Sequence, residues 1–309
     1  RSWAPNEAYY FSRDLKKYLA TNSCSYTIVH AHNYHAFPAL YAAQTKDKNK
    51  LIFTPHYIGK GLTFFRRLLH IPYRFIAKKI FRESDRVICV SKYEKNLLMH
   101  NLKPEDEKVL LIPNGVDTDE LSRYQWIPSF SRPKITFTGR LCAEKNVDKL
   151  VQSLRILIDE YHVDAELVMI GTGPYETSMK RLVQKLRLQN CAVIKPWPPS
   201  RRQYLEELAS SNVFVMPTEH ECYGIAAAEA IVLGVPTVVS NSSALSEFVE
   251  SGLALGVDTP ITPQGIASAV YKALITPQTT KACSSLDKIL SWDDVADRLG
   301  RLYLEVLSS

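Results

Sequence analysis

The sequence predicts an α/β protein made of two doubly wound domains, each a sheet of parallel strands flanked by helices. Three observations predict it. The chain has 309 residues, too many for one typical core and suited to two domains. Short apolar runs such as Val213 to Met216 alternate with longer stretches of helical period, which is the signature of strand–helix units in a parallel sheet. Strand ends are marked by turn punctuation, as at Pro113-Asn114-Gly115 and Gly171-Thr172-Gly173-Pro174.

Composition narrows the class. Hydrophobic content of 46% and charged content of 23% are those of an ordinary globular protein. No apolar run approaches the ~20 residues that span a bilayer, and Arg1 opens no signal-peptide pattern. Six cysteines, at 24, 89, 142, 191, 222 and 283, are scattered without a Cys-x-x-Cys pair. Most lie in apolar runs, so buried free thiols in a reducing cytoplasm are expected. The net charge of +6 is uneven: residues 1–118 hold 19 basic and 10 acidic side chains, against 19 and 22 in the remainder. The basic excess points to an anionic partner of the first domain.

In order, Asn6 to Ala20 reads as a helix with Tyr10, Phe11, Leu15, Tyr18 and Leu19 on one side. Tyr26 to Ala31 and Leu51 to Thr54 read as strands, and they deliver His30, His32, His35 and His56 near their carboxyl ends. No carboxylate or cysteine completes a ligand set with these histidines, so no metal is expected. Lys60 to Arg82 carries seven basic residues and no acid, interleaved with aromatic and aliphatic ones, and Pro72 is expected to divide it into two helical pieces. Such a stretch can lie on an anionic membrane; the plainer alternative is a helix pair with a solvated basic face. No motif for nucleic acid is present, and none is expected as a partner.

Arg86 to Val90 is a strand, Ser91 and Glu94 form a capping box, and Lys108 to Ile112 is the last strand of the first domain. The domains are expected at 1–117 and 134–290, with 118–133 as a linker lacking clear period and 291–309 as a closing helix. Lys134 to Thr138 opens the second domain and runs into Gly139-Arg140, followed by a helix with Val147, Leu150, Val151, Leu154, Leu157 and Ile158 at helical spacing. Glu166 to Ile170 is a strand, and Met179, Leu182, Val183 and Leu186 mark the next helix. Ala192 to Ile194, Arg201 to Ser211 and Val213 to Met216 follow as strand, helix and strand. The loop Pro217 to Tyr223 holds Glu219, His220 and Glu221. An Ala-rich helix from Gly224 to Gly234 leads to a strand at Val238-Val239, and Gly265 to Ile275 and Asp293 to Leu307 close the chain as helices. Glu229 lies about two helical turns beyond Glu221, so both carboxylates can face one crevice at a helix N-terminus. Glu229 sits among Ala226, Ala227, Ala228, Ala230 and Ile231, where a half-buried carboxylate needs a partner.

Glu221 and Glu229, separated by seven residues with Tyr223-Gly224 after the first, resemble the Glu-x7-Glu signature of retaining nucleotide-sugar glycosyltransferases. The resemblance is to the family-4 type with the GT-B fold, two Rossmann-like domains facing a cleft. Gly139-Arg140-Leu141 with Glu144-Lys145-Asn146 looks like its Gly-Arg-Leu…Glu-Lys element, and Pro113-Asn114-Gly115-Val116-Asp117 like its interdomain segment. Gly171-Thr172-Gly173-Pro174 is similar to its Gly-x-Gly-Pro turn. Val29-His30-Ala31-His32-Asn33 and Thr54-Pro55-His56 resemble its first-domain His motifs. The six elements stand in family order.

The resemblance implies a nucleoside-diphosphate sugar as donor and neither metal nor cofactor; the acceptor is expected to be a glycan or a lipid-linked sugar, the lipid branch resting on the basic aromatic stretch Lys60 to Arg82 alone. It implies Gly139, Arg140 and Lys145 at the donor diphosphate, where Arg offers a fork and Lys a compact charge. It implies Glu221 at the transferred sugar, backbone amides of Cys222, Tyr223, Gly224 and Ile225 beside it, and Glu229 at the ribose. Gly171 and Gly173 would turn near the nucleotide. His56 would face the donor sugar and, with Glu221, serve catalysis. The closing helix from Trp292 would return to the first domain. The scattered cysteines make a cytoplasmic protein the expectation, and the membrane alternative for Lys60 to Arg82 would place it peripherally on the inner face of the membrane.

The match departs in three places. Residues 1–25 hold no Gly-rich loop, so the chain is expected to begin part-way into its first domain. Asn241-Ser242-Ser243 stands where a Gly-Gly pair is usual, and Lys195-Pro196-Trp197-Pro198-Pro199 replaces the usual base-holding loop. Two rival readings remain: a non-catalytic nucleotide- or partner-binding remnant, and a GT-B nucleotide-sugar epimerase.

Overall fold

A computed structural model describes residues 2–3, 11–22, 25–47, 49–59, 64–276 and 289–308, with side chains at 2–3, 11, 64–72 and 74 left aside. The chain divides into two compact units, Arg1–Asn114 with Asp293–Ser309, and Gly115–Trp292.

In the first unit, β1 (Ser2–Trp3) pairs antiparallel with β2 (Phe11–Ser12), and α1 (Arg13–Asn22) follows. The predicted helix from Asn6 is therefore corrected at its described start: Phe11 and Ser12 are extended, and the Ser12 hydroxyl accepts the Leu15 N–H as a local cap at 3.2 Å. Residues 6–10 lie outside the described residues. Next come β3 (Ile28–His32), α2 (Phe37–Gln44), β4 (Lys50–Thr54), α3 (Phe64–Glu83), β5 (Arg86–Cys89), α4 (Lys92–Asn101) and β6 (Val109–Leu111). The four longer strands form one parallel sheet in the order β3-β4-β5-β6. Its core includes Tyr34, Leu51, Phe53, Tyr57, Ile80 and Leu98.

The predicted break at Pro72 is also corrected, because α3 is one helix of 20 residues. A proline inside a helix costs about 3 kcal/mol. Downstream, Tyr73, Ala77, Ile80 and Phe81 are all buried, and full burial of a side chain such as Ile80 or Phe81 returns about 1.5–3 kcal/mol each. The capping box is rewired as well. Ser91 Oγ accepts the Glu94 N–H at 3.0 Å, but the carboxylate of Glu94 accepts from Val90 N at 2.7 Å and Tyr57 N at 2.5 Å. Glu94 thereby ties the ends of β4 and β5 together.

The second unit opens with β7 (Gly115–Val116) and α5 (Thr118–Ser122), then β8 (Lys134–Thr138), α6 (Val147–Asp159), β9 (Glu166–Ile170), α7 (Glu176–Lys185) and β10 (Ala192–Lys195). It continues with α8 (Arg201–Ala209), β11 (Val213–Met216), α9 (Ile225–Leu233), β12 (Thr237–Ser240), α10 (Ser246–Glu250), β13 (Leu255–Val257), α11 (Pro263–Ile275) and β14 (Leu290–Ser291). The last helix, α12 (Trp292–Ser308), belongs from Asp293 onward to the first unit. The segment expected as a linker, 118–133, contains α5 and is anchored within this unit. Trp126 Nε1 donates to Ser211 O at 2.8 Å, and Ser129 N donates to Asn212 Oδ1 at 3.2 Å.

Six parallel strands stand in the order β10-β9-β8-β11-β12-β13. From β8 the chain winds outward through β9 and β10; from β11 it winds the other way through β12 and β13. The reversal falls between β8 and β11, and ligands of open α/β sheets bind at the carboxyl ends of the strands flanking such a reversal. All residues of β8, β11 and β12 are buried, so these strands are fixed as the unit's centre.

Candidate active site

The loops leaving β8 and β11 carry Arg140, Lys145 and Glu221 to the reversal point. The first loop is seated by two glycines. Gly171 and Gly173 follow β9, and a Cβ on them would lie 2.0 Å from Gly139 O and 2.3 Å from Leu141 O, respectively. Leu141 N donates to Thr172 O at 2.9 Å and Tyr175 N to Leu141 O at 3.0 Å. The Gly-x-Gly turn thus grips the backbone on either side of Arg140. The resemblance implies that this turn lies near the nucleotide, and its packing shapes the Arg140 loop.

Asn146, in the left-handed region at φ 51, anchors the second loop by donating Nδ2 to Pro217 O at 2.8 Å. Thr218 Oγ1 donates to Glu144 O at 2.9 Å. With the two loops held together, Lys145 Nζ meets Glu221 Oε2 at 2.5 Å. Glu221 N donates to Ser243 Oγ at 3.2 Å, so Ser243, in the stretch that departs from the usual Gly-Gly, supports the carboxylate's backbone. Arg140 is exposed.

Gly224 caps α9 at φ 98, a conformation closed to most L-residues, and a Cβ there would meet Leu245 Cδ2 at 2.5 Å. That turn leaves the first amides of α9 free of intrahelical partners, a ready anion-binding end. Cys222 is half-buried and Ile225 exposed. Tyr223 is buried, and burial raises its phenol above the ordinary range.

Glu229, one turn into α9, is only 6% exposed. Its expected partners are Tyr204, whose hydroxyl donates to Oε2 at 2.8 Å, and Arg201, whose Nη2 lies 2.6 Å from Oε1. Arg201 also reaches Glu120 Oε2 at 3.1 Å and sits over the Tyr204 ring at 5.2 Å. Burial and the Glu229 charge raise the Tyr204 phenol, which keeps it a donor. Neither Arg201 nor Tyr204 was singled out from the sequence; a cation and a phenol on α8 carry no spacing relation to Glu229. A cavity of about 390 Å³ opens here, with Trp197, Arg201, Tyr204, Ile225 and Glu229 on its wall.

In the first unit, His30, His32 and His56 form a stack at the carboxyl ends of β3 and β4. Ring centroids are 4.3 Å apart for His30–His32 and 5.7 Å for His32–His56. His30 bonds Tyr303 OH at 2.7 Å and Thr54 Oγ1 at 2.8 Å. Burial, with the neighbouring imidazoles adding repulsion, pushes His30 and His56 down to about 4 and lowers His32. The cluster is therefore neutral near pH 7, and each ring can donate one bond and accept one. His56 itself is held at φ 49. Among the described residues no group of three His, Cys, Asp or Glu is placed to hold a metal ion.

Two family models match the chain: Glycosyltransferase Family 4 over residues 2–120, and Glycosyl transferases group 1 over residues 123–287. The GDP-mannose-dependent alpha-(1-6)-phosphatidylinositol dimannoside mannosyltransferase of Mycobacterium tuberculosis is 34% identical over 140 residues. That match covers 45% of this chain and 35% of the relative, about a third of its length. The glycogen synthase of the same organism is 26% identical over 298 residues, 94% of this chain and 71% of that protein. Among solved structures, the sucrose-phosphate synthase of Thermosynechococcus elongatus superposes with a TM-score of 0.80 at 19% identity, covering 96% of this chain and 77% of that one. At that identity the likeness concerns the fold.

Proposed function

Because this chain belongs to the glycosyl transferases group 1 family and has its GT-B fold, we propose that it is a retaining hexosyltransferase using a nucleoside-diphosphate sugar. The observation that carries the reading is the meeting of Lys145 and Glu221 at the strand-order reversal, beside the free amides of α9. Arg140 and Lys145 neutralise the charge that develops on the departing diphosphate, and the Cys222–Ile225 amides add to it. Glu221 binds hydroxyls of the transferred sugar. Glu229 accepts the ribose hydroxyls with the lone pairs that Arg201 and Tyr204 leave open, since each carboxylate oxygen has two. Each carboxylate has its own partners, which fits two binding roles better than a nucleophile and acid pair sharing one bond. The donor phosphate then takes the acceptor proton on the face it leaves.

The acceptor is a glycan or a lipid-linked sugar; the phosphatidylinositol dimannoside in one relative's name motivates the lipid branch. No helix of the described residues is long and apolar enough to cross a membrane. Calorimetric binding of UDP, GDP and ADP tests the donor site, with Arg140→Ala/Lys145→Ala as the control. One nucleotide should bind and the variant should lose it. A folded chain that binds none of the three, or a variant that binds as well as the parent, overturns the reading in favour of a non-catalytic remnant.

A further inference from the structure

The exposed side of α3 has no role in the site described. Phe75, Lys78, Lys79 and Arg82 follow one another at helical spacing and are all exposed, Phe75 by 73%. The opposite side, with Tyr73, Ala77, Ile80 and Phe81, is buried. Phe75 thus stands as an exposed aromatic ring among these cations. Lys78 Nζ stands 6.0 Å from its centroid. Arg82 pairs with Glu83 at 3.0 Å, whereas Lys78, Lys79 and Lys103 have no carboxylate partner among the described residues.

Beside this stripe, at the C-terminal ends of α3 and α4, a cavity of about 540 Å³ is walled by Lys78, Arg82, His100 and Lys103 over Phe81 and Leu102. Glu105, the one acid on its wall, is drawn to Lys108 at 3.1 Å. The helix ends place this basin at the strand starts of the first unit's sheet, the edge opposite the histidine stack.

We propose that this face docks on an anionic lipid bilayer, Phe75 entering the headgroup boundary and the basin of Lys78, Arg82 and Lys103 receiving a phosphorylated headgroup. Cations flanking one exposed aromatic match a surface that is negative outside and apolar just beneath. The proposal deepens the transferase reading and rests on it for the lipid-linked acceptor. The docking surface sits at the far edge of the sheet and can be tested alone.

The test is co-sedimentation of the full chain with phosphatidylcholine vesicles, with and without phosphatidylglycerol, over a salt series. The chain should bind only the phosphatidylglycerol vesicles and release them as salt rises. Lys78→Ala/Lys79→Ala should weaken binding roughly thirtyfold, a factor of about five for each lysine near such a surface. Phe75→Ala should cost about tenfold and leave the salt dependence in place. Lys180→Ala, on the second unit, should change nothing. All four positions are exposed, and thermal melts matching the parent establish that the variants are folded. Failure of the parent to sediment with either vesicle, or variants that bind like the parent, would overturn the proposal. So would duplex DNA binding lost in the same variants without vesicle binding, which would assign the stripe to nucleic acid. Nucleotide calorimetry on the same proteins separates the two readings. Vesicle binding without any nucleotide binding sinks the transferase reading alone, and nucleotide binding without vesicle binding sinks the docking surface alone.

Discussion

Removing the guanidinium of Arg201 tests how Glu229 is held. Its side chain is 8% exposed, with Arg201 Nη2 at 2.6 Å from one carboxylate oxygen and the Tyr204 hydroxyl at 2.8 Å from the other. Breaking a fully buried pair from one side costs about 3–5 kcal/mol, because the remaining charge is left in a poor solvent. Here the Arg201 side chain is 41% exposed, so solvent screens part of the interaction, and exposed pairs contribute about 0–1 kcal/mol. Tyr204 still serves Glu229 in the variant. Arg201→Ala is therefore expected to destabilise the second unit by about 1–3 kcal/mol. Urea denaturation followed by tryptophan fluorescence measures this. A cycle with Glu229→Gln should show coupling of about 1–2 kcal/mol, since the arginine matters mainly while the charge is present. Nucleotide affinity supplies a readout that simple stability does not move. Arg201→Ala should lose about tenfold, the scale for an outer residue orienting a binding carboxylate, and Arg201→Lys should recover part of it. A cycle additive within about 0.5 kcal/mol, together with unchanged nucleotide affinity, would refute the argument that Arg201 orients Glu229.

Two other expectations rest on independent parts of the molecule. Gly173→Ala must push the backbone at Leu141, since its Cβ would stand 2.3 Å from Leu141 O; the expected cost is about 2 kcal/mol with a loss of nucleotide affinity, read by melting and calorimetry. Glu94 makes stability depend on pH, because burial raises its carboxyl from 4.5 to about 7 although two backbone amides oppose the shift. The folded state then keeps a proton that the unfolded chain releases across that window, so stability falls as pH rises from about 4.5 to about 7, by about 3 kcal/mol in all. Glu94→Gln should lower stability by about 1 kcal/mol at low pH, through one lost amide bond, and abolish this slope. The histidines are common to both proteins, so denaturation of each at pH 4.5 and 7.5 isolates the term; an unchanged slope in the variant would remove Glu94 as its source.

Much of the fold was legible because its signals are local. Val213–Met216 is an unbroken apolar run and forms β11 with those bounds, and Lys134–Thr138 and Glu166–Ile170 are likewise the observed β8 and β9. Gly224 and Gly234 bracket α9 as the sequence suggested, and both stand at positive φ. What misled was local too, but outweighed by tertiary contacts. Pro72 reads as a break, yet four buried residues just beyond it keep α3 whole. Helix α2 was passed over because it carries no polar face to create a period: Ala39, Leu40, Tyr41, Ala42 and Ala43 are buried in succession.

The candidate site divides along the same line, and the sheet order explains why. Lys145 and Glu221 are 76 residues apart, and no spacing rule joins them. They meet because β8 and β11 are neighbours although β9 and β10 come between them in sequence. Strand order of this kind is settled by which buried faces pack, not by any short motif. A motif reading can thus identify the two loops separately, while their common role needs the reversal. Arg201 is harder still. It lies on α8, whose sequence carries only a Ser200 cap and a helix period, and nothing there predicts a cation aimed at Glu229. The requirement ran the other way: a glutamate amid alanines had to have a partner, and the sequence could state that need without naming who meets it.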